Sequence, residues 1–505
     1  MSRLYPQVQV SVSLRRLFPR CSFVGCADIR VTNATERSDQ CVSKALFAAI
    51  PGTQYDGAQF AGEAIERGAG CLLVQRPLAG VTVPQCVVSN VRKAFAELCS
   101  ALDGHPSRHL SVSAVTGTNG KTTVTWLIRS ILQAAGKQTG CMGTVEYHDG
   151  VQATPAGLTT PDSKSLSNWL AAMVARRTTH AAIELSSHAL HQDRSAGTLL
   201  DAAVVTNVTQ DHFDYHSDYE AYLSCKARIF EHCKQGGCVV LNADDRGSDS
   251  LRMRADETLN VVAFGLESPA DVTAEIVQES LRGSRFVLNL HGERIEVQTS
   301  LAGRHNVSNC LAAAAVAAHG GASLETIRAG IERLVSIPGR LERVDCGQPF
   351  SVFVDYAHTG DALGRCVGFL RKMALGRVIC VFGAGGDRDR LKRPLLGRAA
   401  SEADLAVITS DNPRSEDPDA IIDDILPGFN TSSHEPYVEA DRAEAIRWAL
   451  EQAEPGDCVL VAGKGHEVEQ IINADRIPFD DREVIRKVLV DFAHPQHVQR
   501  ARMSA

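Results

Sequence analysis

The sequence predicts an α/β protein of three domains, and three observations predict it. Short apolar runs alternate with helix-period stretches along most of the chain, the pattern of parallel strands joined by crossover helices. One run, residues 110–115, feeds a glycine-rich turn that opens a helix at Lys121. The length of 505 residues suits about three domains of ordinary size.

The first block, residues 1–107, has strand-like runs at 45–50, 71–74 and 85–88 and helical stretches at 58–67 and 90–102. It reads as a small α/β domain, closed by the polar turn Asp103-Gly104-His105-Pro106-Ser107. In the second block, 108–336, the runs 180–185, 201–208 and 237–242 have apolar centres and read as buried parallel strands. An amphipathic helix is expected over 219–233 and an alanine-rich one over 306–319. Residues 271–299 alternate apolar and polar, so a small antiparallel portion is expected beside the central P-loop ATPase-like parallel sheet. Pro338-Gly339 marks the next boundary. The third block, 337–505, has strands near 351–355, 377–382, 405–409 and 458–461, with helices at 361–373 and 442–452. That alternation predicts a Rossmann-like doubly wound domain.

Composition excludes several classes. Apolar content of 44% and charged content of 22% are ordinary for a globular chain, and the net charge of −8 argues against a nucleic-acid partner. Fifteen cysteines occur without a C-x-x-C pair, which reads as free thiols in a reducing compartment. The first residues carry Arg3, Arg15, Arg16 and Arg20 but no continuous apolar stretch, and the apolar run 311–318 is too short to span a membrane. A cytoplasmic protein with no membrane partner is expected.

Thr116-Gly117-Thr118-Asn119-Gly120-Lys121-Thr122-Thr123 is the segment richest in chemistry. Glycines let backbone N–H groups turn onto phosphate oxygens, and the helix N-terminus adds partial positive charge. Lys121 reaches the β- and γ-phosphates, and the Thr122 hydroxyl suits Mg²⁺. The general pattern wants glycine at 115, where Val115 stands, and a glycine turn before an ordinary helix is the plainer alternative. An ATP-using enzyme is the reading. Glu184 ends an apolar strand before Leu185-Ser186-Ser187-His188, a position where open sheets hold ligands and Mg²⁺, although strand-end acids also simply face water. The stretch Thr206-Asn207-Val208-Thr209-Gln210-Asp211-His212-Phe213-Asp214-Tyr215-His216 follows another strand, and its two histidines and two aspartates suit a metal or substrate, with Asp211 equally a turn or cap residue. Lys226, read from its surroundings alone, is a solvated helix lysine. In the third block, Gly383-Ala384-Gly385-Gly386-Asp387-Arg388-Asp389-Arg390, Asp411-Asn412-Pro413-Arg414 and Gly463-Lys464-Gly465-His466-Glu467 each follow a strand. Three polar strand-end loops in one doubly wound sheet converge on one crevice, and the charged run in the first suits a polar zwitterion better than a dinucleotide.

Together these segments resemble the Mur ligases, the ATP-dependent amide-forming enzymes of peptidoglycan precursor synthesis, over nearly the whole chain. Within that family T-G-T-N-G-K-T-T is the usual loop. The nearest likeness is to the MurE type, which adds the third residue of the stem peptide, through the D-N-P-R and G-K-G-H-E segments. The resemblance implies an N-terminal uridine-binding domain, a central ATP-binding domain and a C-terminal amino-acid-binding domain. It implies ATP contacts at Gly117, Thr118, Asn119, Gly120, Lys121, Thr122, Thr123, Asn309, Arg340 and Asp355. The helix pattern Y-x-x-x-K-A-x-x-F maps a carbamylated lysine (N6-carboxylysine) onto Lys226, and Thr122, Glu184 and His212 map onto Mg²⁺ ligands. UDP-N-acetylmuramoyl-L-Ala-D-Glu would be held by Thr53, Gln54, Tyr55, Thr159, Thr160, Ser186, Gln192 and Arg194, with Thr35 as a guessed uridine contact. meso-Diaminopimelate would be held by Arg388, Asp411, Asn412, Pro413, Arg414, Gly463 and Glu467. The chain departs from the family at Gly360, where proline is usual, and lacks a recognisable D-S-R motif around 31–36.

The implied reaction has two steps. ATP phosphorylates the D-glutamate γ-carboxylate, and the amine of the incoming amino acid then displaces phosphate from the acyl phosphate. Lys121, Glu184, His212 and Lys226 would form the catalytic centre. Arg414 would select diaminopimelate over lysine, because a forked guanidinium favours the extra carboxylate and repels the cationic end of lysine. A monomer acting on small molecules is expected. The alternatives are a lysine-adding tripeptide synthetase, a folylpolyglutamate synthase-like ligase, and an ATP-gated binding protein without catalysis.

Overall fold

Central apolar runs made of Val, Ile and Ala lie side by side as a parallel sheet, buried on both faces. In spatial order they are Thr139–Met142, His180–Glu184, Ser111–Thr116, Leu200–Val205, Cys233–Asn242 and Asn260–Gly265. Val112, Ala114, Val115, Ile183, Val204 and Val240 are fully buried, which is why the centres of these strands are mainly apolar. The computed structural model describes residues 10–52, 55–209, 215–429 and 435–493. One edge of the sheet is the antiparallel pair Glu146–His148 and Ala153–Pro155. Beyond the other edge the order continues through Val272–Ser280, Gly283–Leu290 and Glu293–Thr299. Two-residue turns join these three strands, as hairpins require, and their alternating burial fits the expected antiparallel portion.

The N-terminal residues form a separate five-stranded sheet, ordered Ser22–Val24, Gln85–Val87, Cys71–Val74, Leu46–Ala48 and Ala34–Thr35, with the first strand antiparallel to its neighbour. Its core gathers Leu14, Leu46, Leu73, Phe95 and Leu98. This sheet and the central one belong to one compact unit, residues up to 273 with 289–295 and 308–330. Hydrogen bonds join them: Ser167 donates to Asp103 at 2.7 Å, Ser100 to the Gly197 carbonyl at 3.0 Å, and Lys164 to the Ala34 carbonyl at 2.7 Å.

The second unit holds 274–288, 296–307 and the chain from 331. Its sheet runs Glu342–Val344, Ser351–Asp355, Cys458–Ala462, Val378–Phe382, Leu405–Ile408 and Tyr437–Val438, parallel except for the first strand. Alternate strand residues feed two cores. Phe353, Cys380, Phe382 and Leu460 meet Leu363, Val367, Leu396 and Ile425 from the helices Gly360–Met373, Arg393–Ala400 and Pro418–Ile425. Val352, Val354, Val381 and Val461 meet Ile446, Leu450, Ile485 and Val488 from Arg442–Gln452 and Asp481–Ala493. Helices on both faces make it doubly wound, and the strand ends gather at the face where such sheets bind ligands.

One expectation changes. The helix expected over 219–233 is Tyr219–Ala227, then a tighter turn Arg228–His232, and Cys233 already begins the next strand. Tyr222, Leu223, Cys225, Lys226, Ile229 and Phe230 are buried while Tyr219, Glu220 and Glu231 are exposed, so one face is covered, as the expected amphipathic helix requires. All fifteen cysteines are free thiols, as expected, and among the described residues no helix is long and apolar enough to cross a membrane.

Beneath the strand ends of the second unit lies an ion pair with both members at 0% exposure, Arg442 and Asp481, joined by two bonds of 2.7 and 2.8 Å. Arg442 also donates to the Ala462 carbonyl at 2.9 Å and to the Ser410 carbonyl at 3.4 Å. Removing one member strands a buried charge. Asp481→Ala is therefore expected to lower unfolding stability by about 3–5 kcal/mol in urea, whereas the double change Arg442→Met with Asp481→Leu costs clearly less.

Candidate functional site

The turn after Ser111–Thr116 is shaped from outside by Thr206 and Asn207, at the end of the neighbouring strand. Thr206 donates to the Asn119 carbonyl at 2.6 Å, and Asn207 receives Thr118 N–H on its carbonyl and Asn119 N–H on its side chain, both at 2.9 Å. Gly117 and Gly120 have φ of +147° and +84°. A Cβ at Gly117 would lie 1.9 Å from Thr206 Oγ1, and one at Gly120 would lie 2.6 Å from Asn309 Oδ1, so both glycines answer to close approach. Lys121 begins the helix Lys121–Ala134, and its ammonium rests on the Gly117 and Thr118 carbonyls at 2.9 and 3.0 Å. Thr122 and Thr123 are buried in the first turn. Val115, the departure from the general pattern, is a fully buried strand residue.

Glu184, at the end of the adjacent strand, is buried and does not face water. Oε2 accepts from Thr122 Oγ1 at 3.0 Å and Thr144 Oγ1 at 2.9 Å, and Oε1 accepts from Thr144 N–H at 2.8 Å. Thr159 and Thr144 share a hydrogen bond of 3.1 Å. Thr160 donates to the Glu184 carbonyl at 2.7 Å and accepts Ser186 N–H at 3.0 Å. Ser186 in turn caps the short helix Ser187–His191. A hydroxyl and a carboxylate held together are hard oxygen donors of the kind Mg²⁺ takes.

Lys226 is only 1% exposed, with its ammonium 4.3 Å from the Tyr222 ring centre, which overturns the solvated-lysine reading. Tyr222 Oη lies 3.2 Å from Thr118 Oγ1, so this helix reaches the nucleotide loop. His212 lies outside the described residues, as do Asp211 and Asp214. Among the described residues no group of three His, Cys, Asp or Glu side chains gathers as a metal cluster.

Of the residues expected on the uridine side, Thr53 and Gln54 lie outside the described residues, and Tyr55 is 64% exposed, edge-on to Phe60. Thr35 is buried and accepts Arg37 N–H at 3.1 Å. Arg194 is fixed by Gln192 Oε1 at 2.7 and 3.0 Å and by the Thr160 carbonyl at 2.9 Å, so these three residues do come together.

In the second unit, Asp355 accepts Ala357 N–H at 2.7 Å and Leu341 N–H at 2.5 Å, and burial raises its pKa against the pull of Arg340. Arg340 lies over the Tyr356 ring at 4.9 Å. The three strand-end loops meet. Gly386 N–H donates to the Asn412 carbonyl at 2.9 Å, Arg414 Nη1 to the Gly386 carbonyl at 2.6 Å, and Asn412 Nδ2 to Glu467 Oε2 at 2.8 Å. A Cβ at Gly463 would lie 2.7 Å from Asp411 Oδ2, and one at Gly386 would lie 1.9 Å from the Pro413 carbonyl. Burial and the neighbouring Arg388 lower the Arg414 pKa, while Asp411 and Glu467 pull the other way. Two cations beside two carboxylates form a surface suited to a zwitterion. The loop from Gly383 is braced by buried Arg393, which grips Glu416 at 2.8 and 3.0 Å and Asp424 at 2.8 Å. Those bonds, led by Arg393, hold the Glu416 pKa down at about 2.

Sequence reasoning passed over the residues that brace the site. Thr144, Thr206 and Asn207 do so around the nucleotide loop, and Arg393 and Lys464 in the second unit. Thr206, Asn207 and Lys464 stood inside motifs already singled out. Thr144 follows Gly143, whose Cβ would lie 2.0 Å from Glu184 Oε1, and that glycine is the one local sign of a close approach.

Three family models match the chain: "Mur ligase family, catalytic domain" at residues 30–102, "Mur ligase middle domain" at 115–317 and "Mur ligase, glutamate ligase domain" at 339–465. The UDP-N-acetylmuramoyl-L-alanyl-D-glutamate--2,6-diaminopimelate ligase of Geobacillus kaustophilus is 43% identical over 89% of this chain and 93% of its own. The ligase of the same name from Solibacter usitatus is 41% identical, covering 93% and 96%. A solved structure of a ligase of that name, 32% identical, superposes with a TM-score of 0.68 over 96% of this chain and 100% of its own. The folylpolyglutamate synthase of Mycobacterium tuberculosis, 20% identical over 74% of this chain and 92% of its own with a TM-score of 0.61, shares the fold.

Gly117→Ala tests the nucleotide loop. The added methyl displaces the Thr206 hydroxyl and breaks its bond to Asn119. A loss on the order of 2 kcal/mol in thermal stability is expected, with ATP affinity weakened about tenfold or more by titration calorimetry.

Proposed function

The chain belongs to the Mur ligase family, and on that premise we propose that it joins meso-diaminopimelate to UDP-N-acetylmuramoyl-L-Ala-D-Glu at the expense of ATP, in peptidoglycan precursor synthesis. The observation that carries the amino-acid choice is the meeting of the three strand-end loops, which brings Arg388 and Arg414 near Asp411 and Glu467. It is supported by relatives named for that reaction along nearly the whole chain.

In this reading Gly117 to Thr123 and Asn309 hold ATP, with Arg340 and Asp355 as further nucleotide contacts. Lys121 leaves its loop carbonyls for the phosphates and stabilises the transferring group. Thr122, Glu184, His212 and carbamylated Lys226 are the proposed Mg²⁺ ligands, and Thr122 and Glu184 fit that role as adjacent buried oxygen donors. Bound Mg²⁺ supplies charge that lets carboxylate and triphosphate approach each other. Carbamylation would join the Lys226 nitrogen to CO₂ with loss of two protons from the ammonium, turning a buried cation into an anion. Thr159, Thr160, Ser186, Gln192 and Arg194 orient the peptide end of the nucleotide substrate, with Thr53, Gln54 and Tyr55 at its uridine end. The γ-carboxylate takes the γ-phosphoryl group, the amine attacks the resulting acyl phosphate, and phosphate leaves. At the acceptor site Arg414 meets the far carboxylate of diaminopimelate. The domain division 1–107, 108–336 and 337–505 would assign uridine, ATP and amino acid to successive domains. Free thiols throughout suit a reducing, cytoplasmic setting.

The test is ATP-dependent phosphate release with UDP-N-acetylmuramoyl-L-Ala-D-Glu, comparing meso-diaminopimelate with L-lysine and weighing the product. Release with diaminopimelate alone is expected; turnover with lysine alone would overturn the amino-acid choice. Arg414→Ala should lose about tenfold or more of the diaminopimelate preference, the worth of one charge-assisted bond. Lys226→Ala should lower kcat about a hundredfold or more, and the unaltered enzyme should gain activity when bicarbonate is restored to CO₂-free buffer.

A further inference from the structure

Lys464 is a buried cation at the acceptor loops to which the reading above gives no role. It is 0% exposed, and its ammonium donates to Asn412 Oδ1 at 3.1 Å, Glu467 Oε2 at 3.1 Å and the Glu469 carbonyl at 2.7 Å. Three protons meet three acceptors, which is what allows this cation to be buried. Asn412 Oδ1 also accepts Ile471 N–H at 3.0 Å, so two donors fix which end of the amide is oxygen. Asn412 Nδ2 must then point the other way, toward Glu467 Oε2 at 2.8 Å. That oxygen takes both bonds, and Glu467 Oε1 is left for a ligand.

The third acceptor carries the effect further. Glu469 opens the hairpin of Glu469–Ile472 with Asp475–Pro478, which lies along the 411–414 loop. Arg414 holds φ at +52°, a conformation that side chains other than glycine rarely adopt. The hairpin keeps it there: Arg414 N–H donates to the Ile471 carbonyl at 3.0 Å, and Asn473 N–H donates to the Arg414 carbonyl at 2.6 Å. Gln470 Nε2 donates to the Asp411 carbonyl at 2.7 Å.

We propose that Lys464 is a positioning residue that sets acceptor specificity, by fixing the Glu467 carboxylate toward the acceptor's ammonium and anchoring the hairpin that aims Arg414 at its far carboxylate. The inference rests on the amino-acid-ligase reading above. The expected behaviour separates it from a general structural role. Lys464→Met keeps the volume but removes all three bonds, so KM for diaminopimelate should rise about tenfold or more while KM for ATP holds. The diaminopimelate-over-lysine ratio of kcat/KM should fall. Gln470→Ala, which removes one part-buried bond from the hairpin, should move the same quantities in the same direction by less, and it serves if Lys464→Met does not fold.

Initial rates of the full-length protein and both variants, with each amino acid and with ATP varied, decide it. A fall in kcat shared by all substrates, or an unchanged ratio in a folded variant, overturns the inference alone, provided the unaltered protein uses diaminopimelate. An unaltered protein that does not use diaminopimelate removes the reading above and this inference with it.

Discussion

The carboxylate of Glu184 is the point from which the first unit's candidate site hangs. It accepts from the Thr122 hydroxyl, at the start of the nucleotide-loop helix, and from both the hydroxyl and the N–H of Thr144. Its own carbonyl receives Thr160. Three chain segments distant in sequence are therefore registered by one buried residue at a strand end. A buried carboxylate needs such donors, since desolvation would otherwise force it neutral or outward. The same need gives Gly143 its glycine, because any side chain there would occupy the space of Glu184 Oε1. Thr206 and Asn207 do the complementary work on the opposite side of the nucleotide loop, so that its N–H groups are set by the neighbouring strand and not by glycine freedom alone.

In the second unit the organising groups are cations. Arg393, Arg442 and Lys464 are all buried, and each is held by carboxylates and by strand-end or loop carbonyls. Arg442 ties Ser410 and Ala462, the residues just before two of the three acceptor loops. Arg393 braces the third through Glu416, which also receives Asp387 N–H at 2.6 Å. Loops that would be mobile as surface connections are thus fixed from beneath, which suits the proposed acceptor site.

Much of this was legible in the sequence because its signals are local. The strand Ser351–Asp355 and the helix Arg442–Gln452 fall where the apolar pattern placed them. The nucleotide loop is legible because glycine, lysine and threonine follow one another within a single turn. Lys226 was misjudged for a different reason: it sits four residues after Tyr222 and three before Ile229, on the buried face of its helix, and was read by its charge alone.

The sequence by itself determined the α/β class, the two sheet types, the family and the residues to examine, since strand period, glycine turns and charged strand-end motifs are properties of neighbouring residues. Only the tertiary structure decided which of those residues meet. It placed Thr144 on Glu184, closed Lys226 off from water, and turned Lys464 inward between Asn412 and Glu467. Burying a charge is favourable only where the folded chain supplies every hydrogen-bond partner, and those partners come from positions that no local pattern connects.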